Sequence, residues 1–260
     1  MISVIIATKN GKKYISRAIE STLKQTAYSM PGFEIVVISD GSTDGTAEYV
    51  RTMYPSITFP VRVLENTESQ GPGKARALAI QTVTNPYIAI LDDDDWYINT
   101  EKLSNQIKAL EENQTVVVVG AERTEFVSEN GTHLSWYLPE TDPQKIHNNM
   151  LLTCPVVNSS VVFRKSTYDS VGGLSDLRLA EDYDLWLRMG KVGSIINIPN
   201  TETAYTLRRN SASGSNGKHS TKLAMTHLQL VRKYKHDYPN YTLAVVKSYL
   251  RILKKGIFGF

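Results

Sequence analysis

Apolar residues along this chain follow two rhythms. Short β-rich runs read as strands: "SVIIAT" (Ser3–Thr8) and "FEIVVIS" (Phe33–Ser39) as strands buried on both faces, then "VRVLEN" (Val61–Asn66), "YIAIL" (Tyr87–Leu91) and "TVVVVGA" (Thr115–Ala121). Between them the spacing turns helical. Ile15, Ala18, Ile19 and Leu23 mark one helix within Tyr14–Leu23, "GKARALAIQTV" (Gly73–Val83) is a second, and Ser104–Glu112 a third. The turn "DGSTDGT" (Asp40–Thr46) leads into another, with Ser42, Thr43 or Asp44 available as its cap.

Strand and helix thus alternate through the first 120 residues. That pattern predicts a parallel sheet with right-handed crossovers and helices on both faces. In such sheets ligands bind beyond the C-terminal ends of the strands. Three of these ends carry polar clusters, at Thr8–Asn10, Asp40–Asp44 and Asp92–Asp95, enough for a nucleotide-sized site.

The second half is less regular. Short strands around Glu122–Val127 and His133–Trp136 flank the turn "SENGT"; "SSVVFRK" (Ser159–Lys165) and "SIINIP" (Ser194–Pro199) are further strands. "EDYDLWLRMG" (Glu181–Gly190) is a helix with an acidic first turn and a basic residue near its end, as the helix dipole favours. "RRNSASGSNGKHS" (Arg208–Ser220) is Gly/Ser-rich and polar, which predicts a mobile loop. Two helices follow, broken near "DYPN".

The chemistry concentrates in "AILDDDDWY", four consecutive carboxylates after a buried strand. Mg²⁺ or Mn²⁺ takes one or two protein carboxylates plus substrate phosphate, so a metal–diphosphate fits this stretch; an acidic turn capping the next helix is the other reading. An EF-hand fails, because Trp96 stands at the third acid position. "QGPGKAR" is not a Walker loop, since Glu68 stands where its first glycine belongs and Ala75 replaces Ser/Thr. No G-x-G-x-x-G opens a helix after a strand, which argues against a dinucleotide-binding dehydrogenase.

"SVIIATKNGKKYISRAIESTLKQT", "FEIVVISDGSTDGT", "QGPGKARALAI", "AILDDDDWY" and "GGLSDLRLAEDYDLWLRMG" occur in that order. Together, from about Ile2 to Arg209, they resemble the inverting glycosyltransferases of family 2, with the GT-A fold. The resemblance implies an α/β nucleotide-diphospho-sugar transferase with a Rossmann-like, mostly parallel sheet. It implies a catalytic domain over 1–210, with a nucleotide-sugar half at 1–120 and an acceptor-side half at 121–210. The mobile loop at 211–221 and a basic helical extension at 222–260 complete the expected organisation.

By position, the resemblance implies that Thr8 and Asp40 line the nucleoside pocket, Asp40 on the base. Arg76 falls near the donor. Asp92 and Asp94 match a D-x-D pair, with Asp94 as metal ligand for Mn²⁺ or Mg²⁺ and Asp92 on the donor sugar or ribose. Asp93 joins the donor-binding set, and Asp95 orients the neighbouring acids. Asp182 matches the general base and Glu181 its neighbour. Asp184 and Trp186 are expected to be structural. One departure is Ser39, where the family has an acid before Asp40; this leaves nucleotide identity open.

The chemistry agrees with this picture. Inverting transfer needs a base to take the acceptor proton and a cation to stabilise the departing diphosphate. Trp136, His147, Asn158 and Ser159 fall in the acceptor half and are expected to pack or face solvent. Arg208, Arg209 and His219 border the loop, which either folds over the donor diphosphate or is a plain connector.

Composition adjusts the picture at the edges. The chain has 260 residues and a net charge of +3, but Lys222–Phe260 holds eight Lys/Arg against one acid. "LAVVKSYLRILKKGIFGF" (Leu243–Phe260) is a basic amphipathic segment. Two roles stay open for it: peripheral contact of 239–260 with an anionic membrane, or packing on the body. The single cysteine, Cys154, rules out an intrachain disulfide and is expected to be a buried, unreactive thiol. With no leader and no apolar run of about 20 residues, a cytoplasmic protein is expected, with peripheral attachment on the inner face of the membrane left open. Expected partners are a nucleotide-diphospho-sugar donor and a glycan or lipid-linked acceptor, not nucleic acid. The rivals are a nucleotidyltransferase, for which "AEDYD" would have no role, and a non-catalytic sugar-nucleotide-binding scaffold.

Overall fold

The computed structural model describes residues 1–208 and 217–258, with side chains over 1–208 and 221–254. A seven-stranded sheet forms the centre. Its strands are β1 (Ile2–Thr8), β2 (Glu34–Asp40), β3 (Val61–Asn66), β4 (Tyr87–Asp92), β6 (Val116–Ala121), β9 (Val162–Arg164) and β10 (Ser194–Ile198), in the order β10-β6-β9-β4-β1-β2-β3. A smaller sheet has the order β5-β11-β7-β8, from β5 (Trp96–Tyr97), β7 (Thr124–Ser128), β8 (His133–Tyr137) and β11 (Thr203–Leu207).

The first four large-sheet strands are parallel, and the order reverses between β1 and β4, where Ala7 lies opposite Asp92. This is the switch point at which a ligand crevice opens. β9 runs antiparallel between β4 and β6. The expected strand Ser159–Lys165 is therefore shorter than the sequence suggests. Its first part instead turns as a 3-10 segment, Asn158–Ser160.

The continuous strand hydrophobicity follows from burial on both faces. Ile5 of β1 joins one core with Val36, Ile38, Ile88 and Ile90, while Val4 and Ile6 join another with Ile35 and Val37. The first core is covered by α3 (Pro72–Gln81) and α7 (Glu181–Met189), through Ala75, Ala79, Leu185 and Trp186. The second is covered by α1 (Ile15–Leu23), α2 (Thr46–Met53) and α4 (Lys102–Glu112), through Ile15, Ile19, Val50, Leu103 and Ile107. The short helices α5 (Pro143–Asn149) and α6 (Lys165–Ser170) close the second half.

Two C-terminal helices, α8 (Gly217–Lys233) and α9 (Tyr241–Phe258), pack together and onto the first core through Leu230, Val231, Tyr234 and Ala244. α8 begins inside the stretch expected to be loop; residues 209–216, with Arg209, lie outside the described residues, as does the side chain of His219. Asp184 clamps the tail to α7. It accepts from Lys233 Nζ at 2.9 Å, Tyr234 Oη at 2.8 Å and Arg188 Nε at 3.0 Å. Burial opposes its charge, but these partners outweigh burial and hold the carboxyl below its ordinary value. Among the described residues no helix is long and apolar enough to cross a membrane.

Candidate active site

The C-terminal edge of the large sheet gathers the polar strand ends. Asp40, at the end of β2, is buried and accepts four hydrogen bonds: from Asn66 Nδ2 at 2.7 Å, Ser69 Oγ at 2.8 Å, Gln70 N at 2.9 Å and Gly71 N at 2.9 Å. Burial raises its pKa, and the four donors more than reverse that, leaving it lowered. A carboxylate has about four acceptor positions, so Asp40 here organises the loop between β3 and α3. Gly41 lets that loop come close: at φ +67°, an added Cβ would lie 2.5 Å from Ser69 N.

The four acids after β4 have four different environments. Asp92 accepts from Arg76 Nη2 at 2.5 Å, and its backbone N donates to Ser159 Oγ at 3.2 Å. Asp93 is buried and accepts from Thr8 Oγ1 at 2.5 Å. Gly11 makes this approach possible, because a Cβ there would overlap both Thr8 Oγ1 and Asp93 Oδ2. Asp94 meets Arg208 Nε at 2.5 Å, and Arg208 reaches Asp93 at 3.6 Å. Asp95 is fully enclosed, accepting from Ser159 Oγ and from Thr206 N at 2.7 Å. Its side chain staples β11 and the Asn158–Ser160 turn to the acidic loop, and its backbone N donates to Asp92 O at 3.1 Å.

Crowding and burial act in one direction on Asp93, Asp94 and Asp95. Burial first, then the Asp92 charge, pushes Asp94 up to about 7, against the pull of Arg208. Asp93 and Asp95 are raised for the same leading reason, burial.

α7 delivers the second acidic pair. Ala180 enters it with left-handed backbone, φ +59°, an uncommon conformation for a residue with a Cβ. Glu181 accepts from Arg76 Nη1 at 3.2 Å, so one buried guanidinium joins Asp92 and Glu181. The two carboxylates keep Arg76 charged despite burial. Gly73 lets α3 lie against this pair: a Cβ there would stand 2.8 Å from Glu181 Cγ. Burial, then Asp182, pushes Glu181 up to about 7. Asp182 accepts from Tyr183 N at 2.8 Å and is also raised, by burial first, with Arg76 opposing. It lines a crevice with Arg76, Asn158 and Trp186.

Among the described residues, no three His, Cys, Asp or Glu side chains converge as a ready-made metal cage. The donors available are the hard carboxylate oxygens of Asp92 and Asp94. Two carboxylates are what a Mg²⁺ or Mn²⁺ site needs when substrate phosphates complete the shell. A carboxylate raised by buried like charge is stabilised by taking up a cation, so the residues fit such an ion.

Thr8, Asp40 and Asp92–Asp95 lie at or just after the ends of β1, β2 and β4, and Arg76 connects Asp92 to Glu181, next to Asp182. Ser159, expected to pack or face solvent, instead bridges Asp92 and Asp95. Lys102 holds it there: fully buried, its Nζ donates to Ser160 O at 2.8 Å. Arg17 was overlooked; it donates to Asp94 O at 2.9 Å and lies 3.6 Å over the Trp96 ring. Helical spacing gave no sign of Arg17's role, because the partners come from a distant loop. Trp136 is exposed on β8 under Arg123, and His147 lies against Tyr238. Cys154 is half-buried rather than buried, and burial pushes its thiol up, consistent with an unreactive group.

Residues 3–171 match the model of glycosyl transferase family 2. The amylovoran biosynthesis glycosyltransferase AmsE of Erwinia amylovora is 30% identical over 202 residues, covering 76% of this chain and 73% of that protein. The mannosyltransferase PcManGT from Pyrobaculum calidifontis, solved with GDP-Man and Mn²⁺, superposes with a TM-score of 0.71 at 18% identity, over 100% of this chain and 76% of that one. TarS of S. aureus, solved with UDP-GlcNAc, gives 0.69 at 20% identity, over 96% and 72%. These two likenesses are likenesses of fold.

Proposed function

We propose that this chain, which belongs to glycosyl transferase family 2, transfers a sugar from a nucleotide diphosphate to an acceptor hydroxyl with Asp182 as general base. Membership makes it an inverting glycosyltransferase, and its fold is GT-A. The observation that carries the residue assignment is Arg76. Its one guanidinium ties Asp92, in the acidic loop, to Glu181, beside Asp182. Donor-side acids and the base are thereby held as one unit.

In the reaction the acceptor oxygen forms a bond to the anomeric carbon as the bond to the diphosphate oxygen breaks. The acceptor proton passes to Asp182. Burial makes Asp182 a stronger base than an exposed carboxylate. Glu181 stays fixed by Arg76, which keeps the first turn of α7 in place. Asp92 and Asp94 would hold a divalent cation, Mn²⁺ or Mg²⁺, whose charge would stabilise the departing diphosphate. Thr8 and Asp93 line the donor crevice, and their mutual hydrogen bond sets its floor. Asp40 bears on the nucleotide, most directly by shaping the Asn66–Gly71 loop that borders it.

A nucleotide-sugar donor is supported by the solved relatives with GDP-Man and UDP-GlcNAc. We assign the acceptor to cell-surface polysaccharide or glycolipid synthesis, with the relative named for amylovoran biosynthesis as support. The test is Asp182→Asn. Transfer is expected to fall by about 10²–10⁴-fold while nucleotide binding persists. Wild-type transfer by that variant would remove Asp182 from the role. Release of pyrophosphate instead of nucleoside diphosphate would point to nucleotidyl transfer.

A further inference from the structure

The C-terminal helices carry chemistry that the donor site does not use. α9 has no acidic residue, and Lys247, Arg251 and Lys254 recur along one stripe of it. Its inner face, with Ala244 and Ser248, is buried. Its outer face is apolar and open: Leu243, Val246, Leu250 and Leu253 are 50–62% exposed at helical spacing. The cation stripe lies between these two faces.

There Arg251 and Lys254 line a cleft of about 440 Å³ with Thr153, Cys154, Leu223 and His227. Among the described residues no carboxylate lines it. Arg251 is oriented by donating to Leu152 O at 3.0 Å. The cleft adjoins the base. Tyr183, next to Asp182, packs its ring 5.0 Å from His227.

We propose that this cleft binds a phosphate or diphosphate group of an amphiphilic acceptor, whose apolar chain leaves along the outer stripe of α9. The inference rests on the reading of Asp182 as the base, because it gives the cleft its place on the acceptor side. The chemistry is mutual: a guanidinium, an ammonium and an imidazole match phosphate oxygens, and the adjoining apolar stripe matches a hydrocarbon chain. Bilayer headgroups carry the same phosphate chemistry, so the two sources must be told apart.

The experiment uses the full chain in EDTA and calorimetric titration with farnesyl diphosphate below its micelle concentration. Farnesol and inorganic pyrophosphate are the comparison probes. Wild type is expected to bind farnesyl diphosphate more tightly than either. Lys254→Glu, an exposed change, and Arg251→Ala are each expected to weaken it by about tenfold or more. Equal binding by wild type and Lys254→Glu, or equal binding of farnesol, would overturn the proposal. Sedimentation with phosphatidylglycerol vesicles, lost in Lys254→Glu, without any binding of farnesyl diphosphate would assign the cleft to bilayer headgroups and also overturn it. The rise in melting temperature with nucleotide diphosphate and Mn²⁺ reports the donor site separately, so failure there is a failure of the donor reading and not of the cleft.

Discussion

At Glu181 and Asp182, burial opposes ionisation, with the Asp182 charge adding to it at Glu181 and the Asp92 charge at Asp182, and Arg76 only partly compensates. Glu181 is pushed up to about 7 and Asp182 is raised from its ordinary value. A general base works only when unprotonated, so a raised pKa moves the acid limb of the rate profile upward. The acid limb of transfer is therefore expected at a higher pH than an exposed carboxylate would give, approaching tenfold per pH unit once the base is mostly protonated. An exposed carboxylate would hold its rate down to a pH of about 4. A profile of kcat/KM against pH whose acid limb lies no higher than that of an exposed carboxylate would contradict the raised base. The acids themselves were legible in the sequence because four carboxylates after a buried strand need an explanation. Their partners were not: Ser159, Arg17 and Thr206 reach them across 67, 77 and 111 positions of chain.

At the scale of elements, the alternating strands and helices of the first half were readable because β1, β2 and β4 are buried on both faces and the helices on one, while the edge strand β3 is only partly covered. Boundaries agree closely: α1 is Ile15–Leu23 against an expected Tyr14–Leu23. The second half was harder for a physical reason. β9 and β11 owe their pairing to neighbours far along the chain, and β5 is two residues long. No local pattern marks Thr203–Leu207 as a strand, yet it carries Thr206 to Asp95. The α3–α7 contact illustrates how elements position the site. Gly73→Ala would push a methyl group toward Glu181 Cγ. Overpacking of this kind costs about 1–3 kcal/mol. A lower melting temperature and slower transfer are expected from thermal unfolding and a transfer assay. An unchanged melting temperature and rate would mean that the helices separate freely and that Arg76 does not need their close approach.

Across the whole molecule, the site stands where two sheets and the C-terminal helices meet. The large sheet supplies Thr8, Asp40 and Asp92 at its strand ends, the small sheet supplies Thr206 and Arg208 from β11 and its end, and α7 supplies Asp182. Asp184 ties that same helix to α8, so the tail and the base share one mechanical support. The central claim is that the acidic loop is a metal-dependent donor site. Its most direct test is thermal unfolding of wild type and Asp94→Asn with uridine, guanosine, cytidine, adenosine and thymidine diphosphates, each with and without Mn²⁺. Ligand that binds only the folded state raises the melting temperature by mass action. A rise in wild type with at least one nucleotide, dependent on Mn²⁺ and lost in Asp94→Asn, is the predicted result. No rise with any nucleotide, or a rise that Asp94→Asn retains in full, would contradict the assignment of the acidic loop.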